Sequence, residues 1–119
     1  MPQRAVGVII KENKILLMRR MKNGQEYYVF PGGGVKEGES TETAIIREIR
    51  EELSLDAKID KLLFEIENQG RQEYYYLIKE FSGQPQLGGE GIVRFLLNQV
   101  CLWIQNMHKF TYILDSLGV

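Results

Sequence analysis

Three consecutive glycines, Gly32-Gly33-Gly34, stand shortly before a run that carries glutamates at fixed spacings: Glu39, Glu48, Glu51 and Glu52. No other stretch restricts the fold as much. Glycines turn the chain and let backbone approach a neighbour or a ligand closely. Ser40 is a good N-cap, and a helix is expected from Thr41 to Leu53 with Ile45, Ile46, Ile49 and Leu53 as its apolar stripe. On that helix Glu48, Glu51 and Glu52 lie at i, i+3 and i+4 and share a face. Their mutual repulsion costs about 0.2–0.5 kcal/mol per pair, and a hard divalent cation reverses it, because such ions prefer carboxylate oxygens. The segment therefore reads as a glycine turn feeding a helix that packs by one face and offers carboxylates on another.

The rest of the chain reads mainly as strands. Ala5–Ile10 and Ile15–Arg20 are β-rich runs around a polar turn, as hairpin partners would be. A second turn at Asn23-Gly24 leads to the short strand Tyr27–Phe30, which Pro31 stops. Beyond the helix, Asp56–Glu67 and Glu73–Phe81 are extended and flank a turn at Asn68-Gln69-Gly70. A loop is expected from Ser82 to Gly91, then a strand near Val100–Ile104 and a helix around Met107–Leu117; residues 92–98 carry no clear pattern. Neither a repeat nor a boundary interrupts the 119 residues, so a single domain over 1–119 is expected.

Composition narrows the function. A net charge of −1 provides no bulk positive field for a nucleic-acid polymer or an anionic membrane, so positive charge for a phosphorylated ligand must be local. No apolar run is long enough to span a bilayer, and no leader pattern precedes the first strand. The single cysteine, Cys101, has no partner for an internal disulfide, which fits a cytoplasmic location. Cys101, Trp103 and the sole histidine, His108, are expected to serve packing or surface roles.

From Gly33 to Leu55 the chain resembles the Nudix box, Gx5Ex7REUxEExGU with U a bulky aliphatic. The matching residues are Gly33, Glu39, Arg47, Glu48, Ile49, Glu51, Glu52 and Leu55. One fixed position departs: Ser54 stands where the family has a glycine that caps the helix in a left-handed conformation, at a cost of about 1 kcal/mol. The likeness extends to the aliphatic first strand, the arginine-ended second strand, the entry Phe30-Pro31-Gly32-Gly33 and the late Trp103-Ile104. It implies an α/β fold, an α/β/α sandwich around a mixed β-sheet. It also implies Mg²⁺- or Mn²⁺-dependent hydrolysis of a nucleoside diphosphate linked to another moiety.

Carried over position by position, Gly32 would offer a backbone carbonyl to metal. Glu48, Glu51 and Glu52 would be carboxylate ligands, and Glu48 also the candidate to activate water. Glu39 and Arg47 would orient these groups. Glu90, in the loop Leu87–Gly91, resembles an acid that the nucleotide-sanitising branch carries outside the box and is the candidate further ligand or base, with Glu73 its competitor. Candidates for substrate contact are Arg19, at the end of the second strand beside Arg20, Phe30, and Tyr76. Tyr76 is taken from three successive tyrosines that otherwise pack both faces of a strand.

The short chain and the Glu90 loop point to nucleoside triphosphates as substrate, with dinucleoside polyphosphates and nucleotide sugars as alternatives. ADP-ribose-cleaving members tend to carry a proline where this chain has Arg71. A nucleotide sensor without hydrolysis is the alternative of another class, and the retained glutamates argue against it. The expected partner is a small nucleotide, not a nucleic-acid polymer or a membrane. Oligomeric state is left open, a homodimer included.

Overall fold

The computed structural model describes residues 2–11, 14–84 and 101–104. They form seven strands and one helix: β1 (Gln3–Lys11), β2 (Lys14–Lys22), β3 (Gln25–Val29), β4 (Gly32–Gly34), α1 (Thr41–Leu53), β5 (Asp56–Asn68), β6 (Arg71–Ser82) and β7 (Cys101–Ile104). The expected strands and helix are present, most of the strands a few residues longer than the sequence pattern indicates. The expected helix at 107–117, residues 92–98, Glu90 and His108 lie outside the described residues.

β1 is the organising strand. Its Gln3–Ile9 segment runs parallel to Gln72–Ile78 of β6, while Arg4–Val6 pairs antiparallel with the three glycines of β4. Its far end pairs with β2 at Ile10↔Ile15, and β2 also pairs antiparallel with β3 and β7. The strand order is β3-β2-β1-β6-β5, with β4 and β7 off that path. One parallel pair within an otherwise antiparallel sheet requires a long crossover, and α1 lies within it. Two hairpin turns among the described residues use left-handed pairs, Asn23-Gly24 and Gln69-Gly70, which suit the twist of a two-residue connection.

The core lies between α1 and the sheet. Ala44, Ile45, Ile49 and Leu53 of the helix pack with Ala5, Ile9, Leu16, Met18, Tyr76 and Ile78. Each large aliphatic side chain so buried stabilises the fold by about 1.5–3 kcal/mol. Ile46, expected in this stripe, is 38% exposed, and Ala44 takes its place. Gly7 brings helix and sheet close, since a Cβ there would stand only 3.0 Å from Cδ1 of Ile49. Burial extends through β1, where Val6 and Val8 are buried on the face away from α1.

The helix ends are set locally. The Ser40 hydroxyl accepts from the Thr43 N–H at 3.1 Å, capping the N-terminus. At the other end Ser54 adopts the left-handed conformation (φ 61°, ψ 31°) and donates its N–H to the Arg50 carbonyl at 3.0 Å. The serine thus takes the conformation for which glycine is suited, and the helix ends where expected.

Candidate active site

Pro31 and the β4 glycines lead from the sheet toward the carboxylate face of α1. β4 lies so tightly against β1 that a Cβ on Gly32 would be 2.3 Å from the Ala5 carbonyl oxygen. No side chain fits there, so Gly32 is required for close approach as well as for its φ of +153°. Gly33 is required for a different reason. A Cβ there would lie 2.6 Å from the carboxylate carbon of Glu48, so the absent side chain leaves the place that Glu48 occupies.

Glu52 reaches the same strand one helical turn further on. Its Oε1 accepts the Gly32 N–H at 2.8 Å, and its Oε2 lies 3.4 Å from Nη2 of Arg20. Burial, reinforced by the neighbouring Glu48 charge, pushes its carboxyl up to about 7, against the pull of the Gly32 N–H and Arg20. A carboxyl raised by burial and by a second carboxylate is one that a cation would return to its charged form.

Arg47 organises the other glutamates. Its Nε and Nη2 donate to the two oxygens of Glu39 at 2.7 and 2.9 Å, a two-pronged pair. Nη2 also donates to the Gly34 carbonyl at 3.1 Å, and Nη1 to Glu48 at 2.8 Å and Glu51 at 3.2 Å. Glu39 in turn accepts the Lys36 N–H at 3.0 Å. The Arg47 hydrogen bonds, then that of Lys36, hold the Glu39 carboxyl down at about 2, while Glu39 foremost raises the Arg47 guanidinium above its ordinary value. One guanidinium thereby joins the loop 35–40, β4 and α1.

The three box glutamates are consequently not equivalent. Glu48 and Glu52 have side chains 15% and 20% exposed and flank the glycine strand, whereas that of Glu51 is 55% exposed. Among the described residues no three acidic, histidine or cysteine side chains stand in one cation-holding cluster. The donors nonetheless fit a hard cation. They are oxygens only, the gap left by Gly33 admits a carboxylate, and each glutamate here faces a positive arginine whose charge a metal could replace.

The other expected residues divide. Tyr76 is 5% exposed in the core, with its hydroxyl 2.5 Å from that of Thr41 in the first turn of α1. It anchors the helix to β6. Its neighbour Tyr75 faces the other way, stacked on Phe64 with centroids 4.6 Å apart and edge-on to Phe30 at 6.1 Å. Phe30 therefore belongs to an aromatic group on the sheet face away from the helix, and Tyr75 is the tyrosine that joins it. Arg19 and Arg20 alternate along β2: Arg20 turns to Glu52, and Arg19 takes the opposite side with Leu17. The sequence does not show which of the two turns to α1, because β2 is apolar on both faces and its alternation has no polar side to mark direction. Glu73 is 3% exposed and accepts from Arg71 at 2.9 Å and from the Tyr75 hydroxyl at 3.2 Å. An open cavity of about 480 Å³ between Ile46, Arg50, Lys58 and Phe81 lies on another flank of α1, lined by none of the box glutamates.

Comparison with known proteins agrees with this arrangement. Residues 1–109 match the NUDIX domain family. An 8-oxo-dGTP diphosphatase from Haemophilus influenzae is 35% identical over 108 residues, covering 84% of this chain and 78% of its own. An ADP-ribose pyrophosphatase from Methanocaldococcus jannaschii is 38% identical over 85 residues, covering 71% of this chain; the chain spans about half the length of that relative, 50%. The crystal structure of a MutT NUDIX hydrolase from Burkholderia pseudomallei superposes with a TM-score of 0.73 over 98% of this chain and 97% of the other, at 23% identity, a likeness of fold. The carboxylate helix, its glycine strand and this family match lead to one conclusion: the chain belongs to the Nudix hydrolase family.

Proposed function

We propose that the protein is a divalent-cation-dependent pyrophosphohydrolase that converts a nucleoside triphosphate and water to a nucleoside monophosphate and pyrophosphate. The observation that carries this reading is the placement of two carboxylates of one helix against a side-chain-free glycine strand, Glu48 in the space left by Gly33 and Glu52 on the Gly32 N–H and Arg20. The choice of a triphosphate is supported by the extent of likeness to the 8-oxo-dGTP diphosphatase, 78% of that protein against 50% of the ADP-ribose pyrophosphatase.

Mg²⁺ or Mn²⁺ held by Glu48 and Glu52, with Glu51 and the Gly32 carbonyl completing the set, would neutralise phosphate charge and acidify a bound water. The chain's own groups do the positioning. Gly32 fixes one oxygen of Glu52, Arg20 holds the other while the site is without a cation, Arg47 fixes one oxygen of Glu48, and Glu39 holds Arg47 in turn. In this reading Glu48 would take the proton of the attacking water. The low pKa of Glu39 keeps it charged, so Arg47 retains its partner at any working pH.

The test is a panel of nucleoside triphosphates, oxidised ones included, with ADP-ribose, dinucleoside polyphosphates and nucleotide sugars, assayed with Mg²⁺ for phosphate-containing products. Pyrophosphate release from triphosphates is expected to be fastest. Faster cleavage of ADP-ribose or a nucleotide sugar would replace the substrate, and nucleotide binding without any cleavage would replace the enzyme with a sensor.

A further inference from the structure

Arg20 and Glu52 meet across the fold, from β2 to α1, and the contact is unlike the others in the site. The two oxygens of Glu52 are held differently: Oε1 by a backbone N–H that β4 fixes at 2.8 Å, Oε2 by the tip of a long side chain at 3.4 Å. The Arg20 side chain is 46% exposed, that of Glu52 only 20%. A half-exposed, single-pronged pair at that distance contributes little to folding. It does, however, put a positive charge on the carboxylate oxygen that faces outward from the glycine strand. Arg47, with five contacts to four groups, has no such freedom.

We propose that Arg20 is a built-in counter-ion: it occupies the outward oxygen of Glu52 until a divalent cation takes that oxygen, and the released guanidinium then binds a phosphate oxygen of the substrate. The inference rests on the reading of Glu48 and Glu52 as cation ligands. Its logic is electrostatic. A guanidinium and a divalent cation repel, so they compete for one oxygen. Because Oε1 stays anchored to Gly32, Glu52 keeps its place during the exchange. The freed arginine remains tethered at the end of β2, within a side-chain length of the cation, where phosphate oxygens would sit, and its planar donors suit them. Arg20 is thus a positioning residue before the cation arrives and a substrate contact afterwards.

Two measurements on Arg20→Met and Arg20→Lys test this. In the first, Mn²⁺ is titrated into nucleotide-free protein and free Mn²⁺ is followed by electron paramagnetic resonance. Arg20→Met is expected to bind Mn²⁺ about two- to fivefold more tightly than the unaltered protein, with Arg20→Lys close to the unaltered value. Unchanged or weaker binding in a folded Arg20→Met protein overturns the competition. In the second, steady-state hydrolysis at saturating Mn²⁺ is expected to show KM raised about tenfold in Arg20→Met with kcat nearly unchanged, and Arg20→Lys recovering most of the loss. An unchanged KM overturns the substrate contact. Should Arg20→Met fail to fold, Arg20→Gln takes its place under the same criteria. Absence of Mn²⁺ binding by the unaltered protein overturns the proposed function itself, and this inference with it.

Discussion

Two arginines serve the same helix in opposite ways. Arg47 is gripped by Glu39 of the loop through two hydrogen bonds at 2.7 and 2.9 Å and reaches three further groups in β4 and α1. Among the described residues Arg20 makes one side-chain hydrogen bond, at 3.4 Å from a strand 32 positions away, and is half in water. The first pair is multidentate and local, and moving it would disturb the loop, the glycine strand and the helix together. The second is single among the described residues and long-range, tied to α1 through Glu52 alone. A carboxylate site that must accept a cation needs both kinds of partner, one that fixes geometry and one that gives way.

The contrast is broken most severely at Glu52, the carboxylate that Arg20 shares with the glycine strand. Glu52→Gln should lower turnover at least about 100-fold while circular dichroism and the melting temperature show an intact fold, because the amide keeps the size but loses the charge. Arg47→Met should cost less, about 10–100-fold, since it disorients ligands without removing one. Its loss should appear in turnover and in cation affinity alike, whereas Arg20→Met should tighten the cation and raise KM while leaving turnover nearly unchanged. Equal behaviour of the two variants would erase the distinction.

A third expectation concerns stability of the metal-free protein. Glu52 titrates at about 7 in the folded state against an ordinary 4.5, chiefly because of burial. Between those values the folded chain holds a proton that the unfolded chain has released. Stability should therefore fall as pH rises through that window, by about 3 kcal/mol, and a divalent cation should remove the loss. Denaturant melts at pH 4.5 and 7.5, with and without Mn²⁺, check the sign. The smallest effect is at Ser54, whose φ of 61° suits glycine: Ser54→Gly should stabilise the protein by about 0.5–1 kcal/mol in a thermal melt without altering turnover.

What could be read from the chain followed periodicity. The helix, its caps and the carboxylate spacing were legible because 3.6-residue geometry converts positions 48, 51 and 52 directly into a face. Its core stripe was legible except at Ile46, whose place Ala44 takes, since small residues give a weak apolar signal. In β2 and β6 the pattern failed for a physical reason. Leu16, Leu17 and Met18, like Tyr76, Leu77 and Ile78, are buried regardless of which way they point. A strand buried on both faces has no polar side from which to count, so the sequence does not show which of Arg19 and Arg20, or of Tyr75 and Tyr76, turns toward α1. The division of the glutamates was hidden as well. Glu48, Glu51 and Glu52 look alike in sequence, and only the approach of β4 separates two partly buried carboxylates from an exposed one.

The central claim is that Glu48 and Glu52, set against the glycine strand, bind the divalent cation. It is tested most directly by titrating Mn²⁺ into the nucleotide-free protein and its Glu52→Gln variant. The account predicts saturable binding by the unaltered protein and affinity at least about tenfold weaker in the variant at equal foldedness. Equal Mn²⁺ affinity in the two proteins would contradict it.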